Sequence, residues 1–249
     1  MSAAARFRYV LGLADDQLTL GHRLSQWTGR APLLEEELAL ANIALDLIGQ
    51  ARALYQLAGG IEGAGRDEDA LAYGRDERGF LNLQLLEQPN GDFGRTIARQ
   101  LLYGALMRDY WPALAASGDA ALAAIAGKAA KEAAYHYRHA AEWTVRLGDG
   151  TAESRRRMQA GLDELWEYTG AFFEMSADEA ALGDGAVDRP GLRPGWDAAI
   201  GRVLARATLM RPSATWMAAS GRDGVHSEHL EPMLAEMQIL QRSYPGLTW

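Results

Sequence analysis

The sequence contains no cysteine. This absence excludes thiolate metal ligands, cysteine nucleophiles and disulfide bonds within the 249 residues. Positive charge is also scarce. The chain has 25 Lys and Arg against 33 Asp and Glu, which gives a net charge of −8. Binding to a phosphate backbone requires a clustered basic field, so no nucleic-acid partner is expected.

Long apolar runs are missing as well. The most apolar stretch, residues 33–57, is interrupted by polar and charged side chains: Glu35, Glu36, Glu37, Asn42, Asp46 and Arg52. It therefore fails as a transmembrane span, and no membrane partner is expected. Residues 1–13 hold only a short apolar run, too short for the apolar core of a signal peptide, which predicts a cytoplasmic protein.

Signals for a β-sheet and for common catalytic loops are absent too. No segment alternates apolar and polar residues over a strand's length. The glycines at 59, 60, 63 and 65 follow a helical pattern, whereas a dinucleotide-binding loop follows a strand. Hydrophobic residues make up 48% of the chain, with seven Trp, nine Tyr and five Phe. This composition is ample for one continuous core, and together with the absence of strand patterns it predicts one all-α domain spanning residues 1–249.

Apolar residues at helical spacing, with Gly, Pro and Asp at the breaks, predict a series of helices. The predicted long segments are 7–28, 33–58, 94–116, 120–147 and 151–175. A short helical piece at 67–73 interrupts a long crossover, a Gly/Pro-rich loop covers 183–195, and later helices cover 196–207 and 226–242. Two hairpins joined by a long crossover predict a ferritin-like four-helix bundle with additional C-terminal helices.

Such a bundle can hold two metal ions when two helices each supply a carboxylate and the other two each supply Glu-x-x-His. If each hairpin is symmetric about its turn, Asp16 lies level with Asp46, and Tyr103 lies level with Glu132. The predicted ligand positions are then Asp16, Asp46, Gly49, Tyr103, Glu132 and Tyr135. Three carboxylates remain and no histidine is in register, so the sequence predicts a degenerate site without metal, catalytic or cofactor-binding residues.

One alternative ligand pair stays open. Glu132 and His136 share a face of their helix at i and i+4, which would suit an atypical single-metal site. A hydrogen bond between the two side chains inside the bundle explains the same spacing. An independent metal-dependent oxidoreductase with this atypical ligand set is the alternative function.

The last predicted helix carries apolar residues at a spacing that gives one face. The candidate interface residues are His226, His229, Leu230, Met233 and Met237. Methionine-rich faces adapt to a partner, so this face is a possible interface with another subunit. The same pattern would arise if the helix covered the chain's own bundle.

Four stretches of the sequence resemble the C subunits of phenylacetyl-CoA 1,2-epoxidase complexes. They are residues 38–52 (LALANIALDLIGQAR), 87–93 (EQPNGDF), 146–151 (RLGDGT) and 224–230 (GVHSEHL). The resemblance covers nearly the whole chain. It implies a ferritin-like structural subunit that pairs with a homologous catalytic subunit.

The resemblance also implies the rest of the assembly. The catalytic subunit would carry a di-iron centre and bind phenylacetyl-CoA. A small bridging subunit and a reductase with FAD and an iron-sulfur cluster, using NADPH, would complete a complex that epoxidises the aromatic ring in aerobic phenylacetate catabolism. This chain itself would hold no cofactor, and it could form a homodimer when isolated.

Overall fold

The computed structural model describes residues 2–218 and 221–247, and within these ranges the chain is helical and contains no strand. The predicted all-α, ferritin-like fold with additional C-terminal helices is confirmed. The α-helices are α1 (Ala3–Ser25), α2 (Leu34–Glu62), α3 (Glu68–Tyr73), α4 (Gln84–Glu87), α5 (Phe93–Ala115), α6 (Ala120–Gly148), α7 (Ala152–Leu165), α8 (Ala177–Ala181), α9 (Arg189–Arg206), α10 (Leu230–Met237) and α11 (Ile239–Ser243). Among the described residues, no helix is long and apolar enough to cross a membrane.

The described chain forms two compact units. Of the described residues, 2–89, 176–182 and 221–247 belong to the first unit, and 90–175 and 183–218 belong to the second. The single domain predicted for residues 1–249 stays a prediction.

The first unit is built on the antiparallel hairpin of α1 and α2. Helix α2 continues through Gly59 and Gly60, where the sequence predicted its end, and stops at Gly63 with a φ of 68°. A side chain rarely adopts this left-handed conformation, so glycine suits the position. At Gly59 a β-carbon would lie 2.4 Å from the carbonyl oxygen of Arg66, so this glycine allows the returning chain to pack on the helix.

The C-terminal part of the first unit differs from the single helix predicted at 226–242. The chain forms α10 and α11 instead, and Gln238 separates them. The fully buried Gln238 amide donates to the carbonyl oxygens of Ala72, at 3.3 Å, and Arg75, at 2.9 Å. This hydrogen bonding draws Gln238 into the unit.

The second unit is built on the antiparallel hairpin of α5 and α6. Asp92 caps α5 by accepting from the Arg95 backbone N–H at 2.9 Å, and Asp119 caps α6 by accepting from Leu122 at 3.2 Å. Such caps satisfy backbone donors that have no partner within the helix. Both helix starts agree with the prediction to within one residue.

Two elements of the second unit differ from the predictions. The helix expected at 151–175 ends at Leu165 and continues as a 3₁₀ helix over Trp166–Phe173. Helix α9 begins at Arg189, inside the loop expected at 183–195. Pro190 lies in the first turn, where a backbone N–H has no helical partner, so this proline does not prevent helix formation.

Candidate functional site

The first unit contains a cluster of buried charged groups around Asp15. The Asp15 carboxylate is fully buried and accepts hydrogen bonds from the Tyr55 hydroxyl at 2.6 Å and the Leu81 backbone N–H at 2.8 Å. The Arg75 guanidinium forms a two-pronged ion pair with it, with one nitrogen at 3.0 Å. All donors come from this chain, so Asp15 joins α1 to α2 and to the crossover.

The pKa values around Asp15 follow from burial and charge. Burial and the Asp15 carboxylate raise the pKa of the Tyr55 hydroxyl well above its usual value. Burial alone would lower the pKa of Arg75, but the adjacent Asp15 outweighs that effect and raises it. Tyr55 therefore stays protonated and Arg75 stays charged, which is the pattern of a structural ion pair.

Asp16 is buried beside this cluster and has its own partners. Its carboxylate accepts from the Leu83 backbone N–H at 2.8 Å and from Arg222 at 2.6 Å. The same Arg222 donates to the backbone carbonyl oxygens of Gly12 and Leu81, both at 2.7 Å. Asp16 thus accepts tertiary hydrogen bonds that tie α1 to the crossover and to the C-terminal segment.

Another buried carboxylate of the first unit is Glu87, at the end of α4. It accepts from His226 at 2.5 Å, from the backbone N–H and hydroxyl of Ser227 at 2.7 and 2.6 Å, and from the Asn82 amide at 3.0 Å. The other ring nitrogen of His226 lies 2.8 Å from the carbonyl oxygen of Phe80. Glu87 and His226 therefore connect the crossover to the C-terminal segment.

The pKa of His226 reflects two opposing effects. Burial lowers it, but the hydrogen bond and negative charge of Glu87, together with the Phe80 carbonyl, raise it above the usual histidine value. A carbonyl oxygen only accepts hydrogen bonds. The protonated ring can donate to Glu87 and Phe80 at the same time, so this geometry favours the charged form.

The α1–α2 hairpin does not bring Asp16 level with Asp46. A β-carbon at Gly21 would lie 3.0 Å from the Ile48 side chain and 3.3 Å from the Ala44 carbonyl oxygen, which sets the register near this level. Nearer the start of α1, the hydrogen bond from the Tyr55 hydroxyl to Asp15 fixes the same register. The predicted pairing of Asp16 with Asp46 is therefore wrong by more than one helical turn. The reason is that residues 26–30 form further turns after α1 before the chain reverses.

In the observed register, Gln17 of α1 lies level with Gln50 of α2. Both side chains are buried. Asp46 is half-buried, and Gly49 lies on the exposed face of α2, where an added β-carbon would meet nothing within 4 Å. A metal-binding hairpin of this fold would present Glu opposite Glu-x-x-His. This hairpin presents Gln17 opposite Gln50-x-x-Ala53, and a neutral amide is a weak ligand.

The register of the α5–α6 hairpin also differs from the prediction. A β-carbon at Gly104 would lie 3.3 Å from the Cα of Tyr137, which is five residues past Glu132. The buried Tyr103 is therefore displaced from Glu132 by more than one turn of α6. Tyr135, predicted at a ligand position, is exposed, and Arg138 packs over its ring.

The alternative pair of Glu132 and His136 is placed differently on α6. His136 is buried, whereas Glu132 is half-buried and pairs with the exposed Lys128 at 3.7 Å. Within residues 2–218 and 221–247, no group of three or more His, Asp or Glu side chains is arranged to hold a metal ion. The donor set of the described chain therefore does not fit a dimetal centre.

The predicted interface on the last helix needs correction. Leu230 and Met233 are buried in the first unit, Met237 is half-buried, and the His226 side chain is engaged by Glu87 and Phe80. The backbone carbonyl of His229 accepts from Arg23 at 3.0 Å. These residues cover their own unit, so most of the predicted face is not available to a partner.

Sequence reasoning missed the partners of the buried carboxylates. Arg75 and Arg222 lie outside the long helices and follow no periodic pattern, and Gln17 and Gln50 lie on helices whose register was unknown. One signal was available. Stretches 87–93 and 224–230, which carry the family resemblance, meet directly through Glu87, His226 and Ser227.

Two comparisons with known proteins bear on this site. The family model described as "Phenylacetic acid catabolic protein" matches residues 1–249. The chain is also 47% identical over 243 residues to the C subunit of 1,2-phenylacetyl-CoA epoxidase from Escherichia coli (strain K12). That alignment covers 97% of this chain and 98% of the relative.

Proposed function

Because the chain belongs to the phenylacetic acid catabolic protein family, we propose that it is a non-catalytic structural subunit of a phenylacetyl-CoA epoxidase. The observation that carries this proposal is the 47% identity to the C subunit of such an epoxidase along nearly the full length of both chains. The complex would insert one oxygen atom into the aromatic ring of phenylacetyl-CoA during aerobic phenylacetate catabolism.

The buried polar groups support a structural role. The carboxylates of Asp15, Asp16 and Glu87 each accept several hydrogen bonds from this chain, so their lone pairs are used within the fold. Gln17 and Gln50 form a buried polar pair at one level of the first hairpin, whereas a dimetal bundle needs carboxylates at its ligand pairs. Amides avoid the charge repulsion that crowded carboxylates without a cation would suffer.

The proposal includes the partners that the family resemblance implies. A homologous catalytic subunit would hold the di-iron centre, a small bridging subunit would join the assembly, and a reductase would supply electrons from NADPH through FAD and an iron-sulfur cluster. This chain would bind none of these cofactors. Its proposed location is the cytoplasm.

The test is reconstitution with each component left out in turn. The chain is co-expressed with the catalytic subunit, the assembly is measured by light scattering, and epoxide formation from phenylacetyl-CoA is followed after each omission. We expect this chain to co-purify with the catalytic subunit and to show no turnover by itself. Turnover by the isolated chain would instead establish the alternative, an independent oxidoreductase.

A matched pair of variants separates a structural from a catalytic role. Glu132→Gln removes a carboxylate that an iron site would need, and Lys128→Gln removes only its exposed partner. We expect both complexes to assemble and to retain activity within about tenfold. A loss beyond about a hundredfold in Glu132→Gln alone, with assembly intact, is too large for a lost hydrogen bond and would contradict the proposal.

A further inference from the structure

The first unit contains an open cavity with a volume of about 250 Å³. Its walls come from α1, α2 and α3, and the lining residues are Leu18, Ile48, Ala51, Arg52, Tyr55, Glu68, Asp69, Ala72 and Tyr73. Pockets for drug-sized ligands measure about 300–1,000 Å³, so this cavity suits a smaller molecule.

The floor of the cavity is apolar. Leu18, Ala51 and Ala72 are at most 5% exposed, and the buried Tyr55 adds an aromatic ring. The Tyr55 hydroxyl is already engaged, because it donates to Asp15 at 2.6 Å. Water gains little from such walls, so the apolar group of a ligand would be favoured there.

A cation lies at the edge of the cavity where α2 meets α3. The Arg52 Nε donates to Glu68 at 3.0 Å, and the Gln56 amide donates to the same carboxylate oxygen at 2.9 Å. These bonds occupy Glu68 but use only one nitrogen of Arg52, whose side chain is 70% exposed. Within the described chain, the two terminal amino groups of Arg52 therefore remain available to a ligand.

Asp69 and Tyr73 supply polar groups on the α3 side. They lie four residues apart in the chain, so their side chains share one face of α3. Burial and the negative charge of Asp69 raise the pKa of the Tyr73 hydroxyl, which therefore stays protonated and can donate a hydrogen bond. Neither side chain forms a hydrogen bond with another described residue. The edge thus offers a carboxylate and two kinds of donor.

We propose that this cavity binds a free α-amino acid with an apolar side chain. The ligand's carboxylate would accept from Arg52 and Tyr73, its ammonium group would pair with Asp69, and its side chain would cover the apolar floor. A guanidinium can bind a carboxylate through two parallel hydrogen bonds, which suits the free end of Arg52. The proposal goes beyond the structural role proposed above and does not depend on it.

The mixed charge of the edge selects for a zwitterion. A ligand with only a carboxylate would gain Arg52 but would be repelled by Asp69. A ligand with only an ammonium group would gain Asp69 but would be repelled by Arg52. An amino acid places an opposite charge against each residue, so it should bind more tightly than either of its halves.

A series of ligands tests this selectivity on the full-length wild-type chain by isothermal titration calorimetry. The series is L-phenylalanine, 2-phenylethylamine without the carboxylate, 3-phenylpropanoate without the ammonium group, and glycine without the side chain. We expect L-phenylalanine to bind with a dissociation constant below about 1 mM and the other three to bind at least about tenfold more weakly. No saturable binding of L-phenylalanine, or equal binding of the amine or the acid, would overturn the proposal.

Two exposed positions assign the charges to residues. Arg52→Gln should weaken L-phenylalanine at least about tenfold without weakening 2-phenylethylamine, and Asp69→Asn should weaken L-phenylalanine without weakening 3-phenylpropanoate. Arg66→Gln is the matched control, because Arg66 pairs with Glu62 in the same unit but does not line the cavity. Circular dichroism checks the fold of each variant, and the wild-type ligand series decides the question even if a variant unfolds. Affinity for L-phenylalanine that is unchanged in folded Arg52→Gln and Asp69→Asn would contradict the site.

Discussion

At the scale of single residues, the buried carboxylates of the first unit are held by donors distant in sequence. The Asp15 carboxylate accepts hydrogen bonds from Tyr55, Arg75 and Leu81. The Glu87 carboxylate accepts hydrogen bonds from His226 and Ser227. Removing one member of such a set leaves the others buried without their partner. The resulting loss of unfolding free energy is larger than the net contribution of the intact interaction.

Asp15→Asn should therefore lower the free energy of unfolding by about 3–5 kcal/mol, because the buried Arg75 loses its counter-charge. Asp178→Asn breaks the exposed pair with Arg8 and should change stability by less than about 1 kcal/mol. Urea unfolding of both variants measures the difference. Equal losses in the two variants would contradict the structural role assigned to Asp15.

His226 should make stability depend on pH. Its pKa is raised in the folded chain, so its contribution is full below the unfolded pKa and is lost as the pH rises through the folded pKa. We expect wild type to exceed His226→Gln in stability by more at about pH 5.5 than at about pH 8.5. Subtracting the variant's unfolding free energy at each pH removes the titration of the other groups. A difference that grows with pH would disprove the assignment.

At the scale of elements, small residues decide how closely the helices and loops pack. Because Gly21 has no side chain, Ile48 and the α2 backbone can approach α1 closely. Gly104 likewise allows the backbone of Tyr137 to approach α5. These contacts set the levels of the two hairpins and hence which side chains face each other.

Gly59 and Gly60 of α2 give a matched test of this effect. A β-carbon at Gly59 would lie 2.4 Å from the Arg66 carbonyl oxygen, whereas at Gly60 it would meet nothing within 4 Å. Gly60→Ala should stabilise the chain by about 0.5–1 kcal/mol, because alanine favours the helix. Gly59→Ala should destabilise it by about 1–3 kcal/mol through the forced backbone shift. Thermal unfolding distinguishes the two, and equal effects would contradict the packing at Gly59.

The C-terminal segment is a structural part of the first unit. Its removal after Gly224 would expose the sites of Leu230, Met233 and Leu234 and leave Glu87 without two of its partners. Three such side chains contribute about 1.5–3 kcal/mol each, which is comparable with the whole stability of a small domain. We expect the truncated chain to lose helical circular dichroism and cooperative unfolding. A folded truncated chain would show that this segment is dispensable.

At the scale of the whole molecule, the chain's donor set predicts no stoichiometric iron. In the observed register the buried polar pair of the first hairpin consists of the amides Gln17 and Gln50, and Gly49 is exposed on the outer face of α2. Elemental analysis of the chain purified aerobically from iron-supplemented cells provides the measurement. The co-purified complex is the control, since its catalytic subunit should carry the iron. Two irons per isolated chain would refute the structural role.

The sequence alone determined the features that depend on local physics. Helical periodicity, with Gly, Pro and Asp at the breaks, places the starts of the long helices to within a few residues, and the absence of β-alternation gives the all-α class. The breaks at Gln238 and Leu165 were missed, because each depends on tertiary contacts or on a change of helix type that periodicity does not record.

Only the tertiary structure decided which side chains meet. The absence of histidines from the predicted ligand positions follows from an assumed register, and the observed register differs by more than one turn in both hairpins. Register depends on close approach at Gly21 and Gly104 and on the path of the turn, which are properties of packed helices. Arg222 lies 206 residues from Asp16 and His226 lies 139 residues from Glu87, and no local pattern links such positions before the chain folds.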